Sequence, residues 1–141
     1  MSAPEPPDLA AHWLSIALGD LQGAEVTFHD DTLPARQAAE LAQQAAEKAI
    51  KGAIIFGAVS PPYTHDLGVL ARLLPSDWGL DSVEVDLARL SGAYSQARYP
   101  SYFQPPPERD EVAQMVADAR LIVTTILDQL SARGVVRPAP G

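Results

Sequence analysis

The chain has 141 residues, 47% of them apolar but only 6% aromatic, a size that suits one domain and a balance that suits closely packed helices better than a sheet. Its formal net charge of −8 repels a phosphate backbone over most of the surface, which excludes general coating of nucleic acid and leaves room only for a local basic pocket. The absence of cysteine excludes disulfide frameworks, thiol nucleophiles and thiolate metal sites, and fits a reducing compartment.

Met1 to Asp8 holds Pro4, Pro6 and Pro7 and has no basic-then-apolar signal pattern, and no apolar run is long enough to cross a bilayer, so a cytoplasmic location is expected. The division expected is a flexible arm over 1–8, a helical bundle over 9–133 and a flexible tail over 134–141. Asp8 is placed to cap a first helix running to about Val26, with Leu9, Trp13, Ile16, Ala17 and Leu21 at helical spacing. After a loop from Phe28, Asp31 or Thr32 supplies a second cap, Pro34 sits in the first turn, and a long helix runs to about Val59. Ala38, Leu41, Ala42, Ala45, Ala46, Ala49, Ile50, Ala53 and Phe56 give this helix a wide apolar arc, and Gln43, Gln44, Glu47, Lys48 and Lys51 fill its other side. So many alanines let neighbouring backbones approach closely, which marks it as the central helix. Ser60-Pro61-Pro62 ends it.

Thr64 is placed to cap a short third helix carrying Leu67, Leu70, Leu73 and Leu74, closed by Pro75. A fourth helix is predicted from Asp81 or Ser82 through Val83, Leu87, Leu90 and Tyr94 to Arg98-Tyr99-Pro100. Pro105-Pro106-Pro107 then introduces a last helix with Glu108, Asp110 and Glu111 near its positive end, an apolar stripe from Val112 to Leu130, and Gly134 as its terminator. No repeat, period-2 pattern or hairpin signal interrupts this reading. The expected fold class is all-α: an up-and-down four-helix bundle with an additional short helix.

Three stretches carry residue types suited to chemistry. Gln44, Lys48 and Lys51 share one helix face. Spacing alone favours a solvated face with a Glu47–Lys51 pair worth a few tenths of a kcal/mol; the sharper reading is two lysines on a phosphate and a glutamine orienting a base or sugar. His65, between Thr64 and Asp66, is the second. It lies in the first turn of a helix, where anions bind, and its charge changes near neutral pH; the plainer reading is a capped helix start with His65 on the backbone. The third is Arg98-Tyr99-Pro100, followed by Tyr102 and Phe103. A guanidinium grips phosphate bidentately and a ring stacks on a base, although an arginine in a last turn also complements the helix dipole. His12 and His29 read as surface residues, and Trp13 and Trp78 as packing. With no glycine-rich phosphate loop and no His-x-x-x-His pair, neither a metal nor a cofactor is expected.

Trp13 with Asp20-Leu21, then Gln43-Gln44-Ala45-Ala46-Glu47-Lys48-Ala49-Ile50-Lys51, then His65-Asp66-Leu67, then Arg98-Tyr99-Pro100 resemble the HEPN domain family in order and spacing, from about Trp13 to Leu130. The resemblance implies a helical bundle that dimerises, and a link to a minimal nucleotidyltransferase partner in toxin–antitoxin or similar two-component systems. It also implies a nucleotide or RNA as ligand, with Gln44, Lys48, Lys51, His65, Arg98 and Tyr99 as the binding set. Many members are metal-independent ribonucleases built on an arginine followed within a few residues by a histidine. Here Arg98 is followed by Tyr-Pro-Ser-Tyr-Phe-Gln-Pro, with no histidine. Cleavage would therefore need Arg98 and His65 to meet in the fold or in the dimer, because an arginine alone does not exchange protons near neutral pH. The expectation is a binding module first, a ribonuclease using Arg98 and His65 second, and a ligand-free structural dimer third.

Overall fold

Helix α1, Pro6–Phe28, opens with proline in its first positions and follows Glu5 in extended backbone. It thus begins two residues before the point that Asp8 suggests as a cap, and Asp8 lies in the first turn beside the positive helix end. The computed structural model describes residues 3–98 and 105–135, together with their side chains except those of 95–98; Tyr99, Pro100, Tyr102, Phe103 and the tail beyond Val135 lie outside the described residues. Helix α2 spans Ala35–Phe56, with Pro34 as its extended N-cap instead of a first-turn residue. The signal at Asp30–Thr32 is a turn of its own: the Asp30 carboxylate accepts from the Thr32 amide at 2.9 Å and from its hydroxyl at 2.6 Å.

Helix α3, Leu67–Arg72, is capped by Asp66, whose carboxylate accepts from the amides of Gly68 and Val69. Thr64, expected in that role, instead accepts from the amide of Asp66 through its hydroxyl at 3.1 Å. Leu73, expected within that helix, stands just past its end and is 49% exposed. Two single 3-10 turns follow, Ser76–Trp78 and Leu80–Ser82, and the second occupies the point at Asp81 or Ser82 where the fourth helix was expected to start. Helix α4 begins only at Leu87 and runs to Arg98. Its first turn is held by two carboxylates: Asp86 accepts from the Arg89 amide at 2.9 Å, and buried Asp118 accepts from the Asp86 amide at 3.1 Å and from Gln114 Nε2 at 2.9 Å. Helix α5, Arg109–Ala132, starts with Glu111 accepting from the Glu108 amide.

The other four helices pack round α2, and no strand occurs among the described residues. The result is an up-and-down four-helix bundle with α3 as the additional short helix. Pairs across α1 and α2 run in reverse order, Gly52 against Trp13, Lys48 against Asp20 and Gly23 against Leu41, so the two are antiparallel. Likewise Arg109 meets Phe28 at the end of α1, while Arg120 pairs with Glu25 a turn before it. Ala38, Ala42, Ala45, Ala46, Ala49 and Ile50 are fully buried. Closest approach falls at Gly52, where a Cβ would stand 3.0 Å from Trp13 Cβ and 3.4 Å from the Ala10 carbonyl oxygen. On the outer side of α1, Ile16 is 38% exposed and is not part of the core stripe in which its spacing sets it.

Both long inner helices end in the same six-residue closure. After α5, the amide of Val135 donates to Leu130 and that of Gly134 to Ser131, with Gly134 at φ 90°. This is the termination Gly134 predicts, and it draws Val135 into the core. After α2, Val59 donates to Ile54 and Ala58 to Ile55, but here the left-handed residue is Ala58, at φ 60°.

Two stability changes follow. Ala58→Gly relieves a Cβ in the left-handed region and is expected to raise stability by about 0.5–1 kcal/mol, read from urea or thermal midpoints. Gly52→Val forces α1 off α2 and is expected to cost about 1–3 kcal/mol by the same measurement; an unchanged midpoint would mean the two helices do not touch there.

Candidate functional site

Because α2 is surrounded, part of its polar arc is not solvated. Gln43, Glu47 and Lys51, expected on the outward side, are 0%, 8% and 8% exposed. Covering them are the segment before α3 and the neighbouring helix α4, and a buried carboxylate without partners would be costly. Glu47 has three. Oε1 accepts from Gln43 Nε2 at 2.8 Å and lies 2.8 Å from His65 Nδ1, while Oε2 accepts from Lys51 Nζ at 3.1 Å. Burial pushes the Glu47 carboxyl up, but the bonds from His65, Gln43 and Lys51 and the Lys51 charge outweigh it and hold the group below its ordinary 4.5. The orientation of the Gln43 amide follows, since a flip would set its oxygen against that of Glu47.

His65 is the outer member of this cluster. Its ring stacks on Tyr94 of α4, with centroids 3.8 Å apart and planes at 16°, and Tyr63 meets it edge to face at 5.9 Å. Tyr63 is 96% exposed. The segment is tied down by the Leu67 amide, which donates to the Ser91 hydroxyl at 2.9 Å, and by the Asp66 cap. A row of three rings therefore steps from α4 to the surface, with a buried ionised carboxylate behind its middle member.

The expected set is thus divided. Lys51 and His65 come together on Glu47, whereas Lys48 pairs with Asp20 of α1 at 2.7 Å and Gln44 reaches Glu40 at 3.5 Å. The backbone of α4 carries Arg98 about one turn past Tyr94; its side chain, and Tyr99 altogether, lie outside the described residues. Glu47, Gln43, Tyr63 and Tyr94 complete the cluster and were missed as site residues. An exposed tyrosine two residues before the histidine was the available signal for Tyr63; for Glu47 there was only its i, i+4 spacing to Lys51, which reads equally as a surface pair.

Other polar features are structural. His12 and His29 are exposed, as expected, and buried Trp78 packs edge to face on Phe56, with the Arg133 guanidinium 4.1 Å from its ring centroid. A groove of about 460 Å³ opens at Asp86, Arg89, Gln114 and Asp118, and its carboxylates are those that hold the start of α4. Among the described residues no group of three or more His, Cys, Asp or Glu side chains is arranged to hold a metal. No helix there is long and apolar enough to cross a membrane.

An antiparallel helical bundle with a Glu–His–Tyr cluster between its second helix and its α2–α3 loop is the class of protein so defined. The HEPN domain family model matches residues 10–130, and the chain belongs to that family. Two solved structures share the fold. One is TT1696 from Thermus thermophilus, with a TM-score of 0.66 and 23% identity over 85% of this chain and 97% of that one. The other is ST0689, an archaeal HEPN homologue, with a TM-score of 0.66 and 24% identity over 91% of this chain and 99% of that one. No curated protein sequence matches the chain significantly.

The depressed carboxyl of Glu47 has a pH consequence. A carboxylate held below its unfolded value stabilises the fold above that value and loses the contribution as pH falls through the folded one. Stability of the wild-type protein should therefore decline below about pH 4.5 more steeply than that of Glu47→Gln. Urea midpoints across the acid range test this, and parallel acid limbs would show that Glu47 is not held ionised.

Proposed function

We propose that this HEPN domain is a binding module for a nucleotide or for the end of a single-stranded RNA, taken up on the step formed by Tyr63 and His65. The observation that carries the reading is the His65 ring, clamped between the Glu47 carboxylate and the Tyr94 face, next to the exposed ring of Tyr63. Ring faces stack on any base, at about 1–3 kcal/mol per base. Arg98, whose backbone lies about one turn beyond Tyr94, and Tyr99, next in the sequence, supply the phosphate grip and a further ring in this reading, and Lys51 adds positive charge behind His65. Lys48 and Gln44, engaged with Asp20 and Glu40, have secondary parts. A net charge of −8 fits one short ligand at a local site better than a long nucleic acid.

Ligand at 100 times its dissociation constant should stabilise the fold by about 2.7 kcal/mol, a shift visible in a thermal panel of nucleotides and short RNAs. Tyr63→Ala and His65→Ala should each weaken binding by about tenfold or more. A panel with no shift at any concentration would leave the structural dimer as the reading.

One observation favours an enzyme as the second reading. Glu47 behind Nδ1 gives His65 the arrangement of a general base, and a metal-independent ribonuclease needs one to take the 2′-hydroxyl proton while the 2′-oxygen attacks phosphorus and the 5′-oxygen leaves. Arg98 would neutralise the phosphorane charge. His65→Ala and Arg98→Ala should then abolish cleavage of RNA by purified protein, and an inactive wild type rejects this reading. The family likeness also supports a homodimer and a nucleotidyltransferase partner in a toxin–antitoxin pair, for which light scattering and co-purification are the tests.

A further inference from the structure

Glu47 accepts hydrogen bonds from Gln43 and Lys51 as well as facing His65 Nδ1 at 2.8 Å. A carboxylate that serves two other donors can only accept from the imidazole. In neutral His65 the proton is therefore on Nδ1, and Nε2 holds a lone pair. Nε2 has no hydrogen-bond partner among the described residues, and the side chain is 32% exposed. Stacking on Tyr94 at 3.8 Å keeps the ring from turning over to exchange its two nitrogens. The other titratable groups round it are Lys51 on α2, Tyr63 in the loop and Tyr94 on α4.

An acceptor fixed in this way discriminates among ligands by what they donate. A site built to bond a hydroxyl rejects the analogue that lacks it far more strongly than an apolar pocket rejects an extra group. A base stacked on Tyr63 brings its own sugar towards the neighbouring His65 ring, and in a nucleotide the sugar hydroxyls are donors that do not depend on base identity.

We propose that Glu47 is a positioning residue that turns His65 Nε2 into a hydrogen-bond acceptor, so that the site selects ribonucleotides, through a donating sugar hydroxyl, over their 2′-deoxy counterparts. This rests on the nucleotide-binding reading above.

The test compares the four ribonucleoside 5′-monophosphates with their 2′-deoxy forms by calorimetry at about pH 8.5, above the ordinary imidazole range, with inosine monophosphate added to vary the exocyclic amine. Ribonucleotides are expected to bind about five- to tenfold more tightly, and Glu47→Gln, which removes the charged acceptor facing Nδ1, should lower that ratio within the variant. Nitrogen-15 NMR of the wild-type imidazole, which needs neither ligand nor variant, should report the proton on Nδ1. Equal affinity for the two sugars, or a proton on Nε2, overturns the proposal and leaves the nucleotide reading standing. A loss seen with inosine monophosphate but not with the deoxy forms assigns the donor to the base and overturns it too. Failure of every nucleotide to bind overturns the nucleotide reading, and the sugar preference with it.

Discussion

Enclosure of α2 is the constraint on which the rest of the molecule depends. Its alanines and Gly52 let α1 and α5 approach until the side chains leave no room for solvent, and the α2–α3 connection and α4 close over what remains. A helix enclosed on that many sides has too few solvent-facing positions for all its polar residues. Gln43, Glu47 and Lys51 are therefore taken out of water, and an ion in such surroundings persists only with good partners. The carboxylate of Glu47 finds donors above, below and outside itself on Gln43, Lys51 and His65.

That satisfaction requirement links packing to the surface site. Two of the three donors come from α2 itself, at i−4 and i+4, where helix geometry supplies them without any tertiary contact. The third comes from a loop, and holding it there takes the Asp66 cap, the bond from the Leu67 amide to Ser91 and the face of Tyr94. The histidine is thereby fixed in position by groups whose other duty is to keep the bundle closed. In the proposed binding role, a group held in this way lowers the ordering cost of taking up a ligand.

Polar residues elsewhere in the chain follow a different logic. Asp118 is buried at least as deeply as Glu47 or Lys51, yet its bonds go to the Asp86 amide and to Gln114, and its work is to start α4. Lys48 and Asp20 join α1 to α2 across a partly exposed edge. Arg133 lies over Trp78 and reaches Asp77 at the far end of α5. Burial or charge alone does not separate these from the cluster at Glu47. The difference is that His65 carries a ring nitrogen without a hydrogen-bond partner among the described residues, and an exposed ring beside it.

Local patterns in the chain determined the number of helices, their all-α class, the central place of the alanine-rich segment, the stop at Gly134 and the likeness to the HEPN family, because periodicity, caps and glycine conformations act within a few residues. They also singled out Lys51 and His65. Helix starts were read less well: Asp8, Thr32, Thr64 and Ser82 all offered a cap, but α1 and α2 start after Glu5 and Pro34 with no side-chain cap, and Asp66 caps α3. The partners of each polar side chain were decided only by tertiary structure. Lys48 and Lys51 are three residues apart on one helix and read alike in sequence; one faces α1 and the other a buried carboxylate, because the direction from which a neighbouring helix arrives is a property of the assembled bundle and not of the segment.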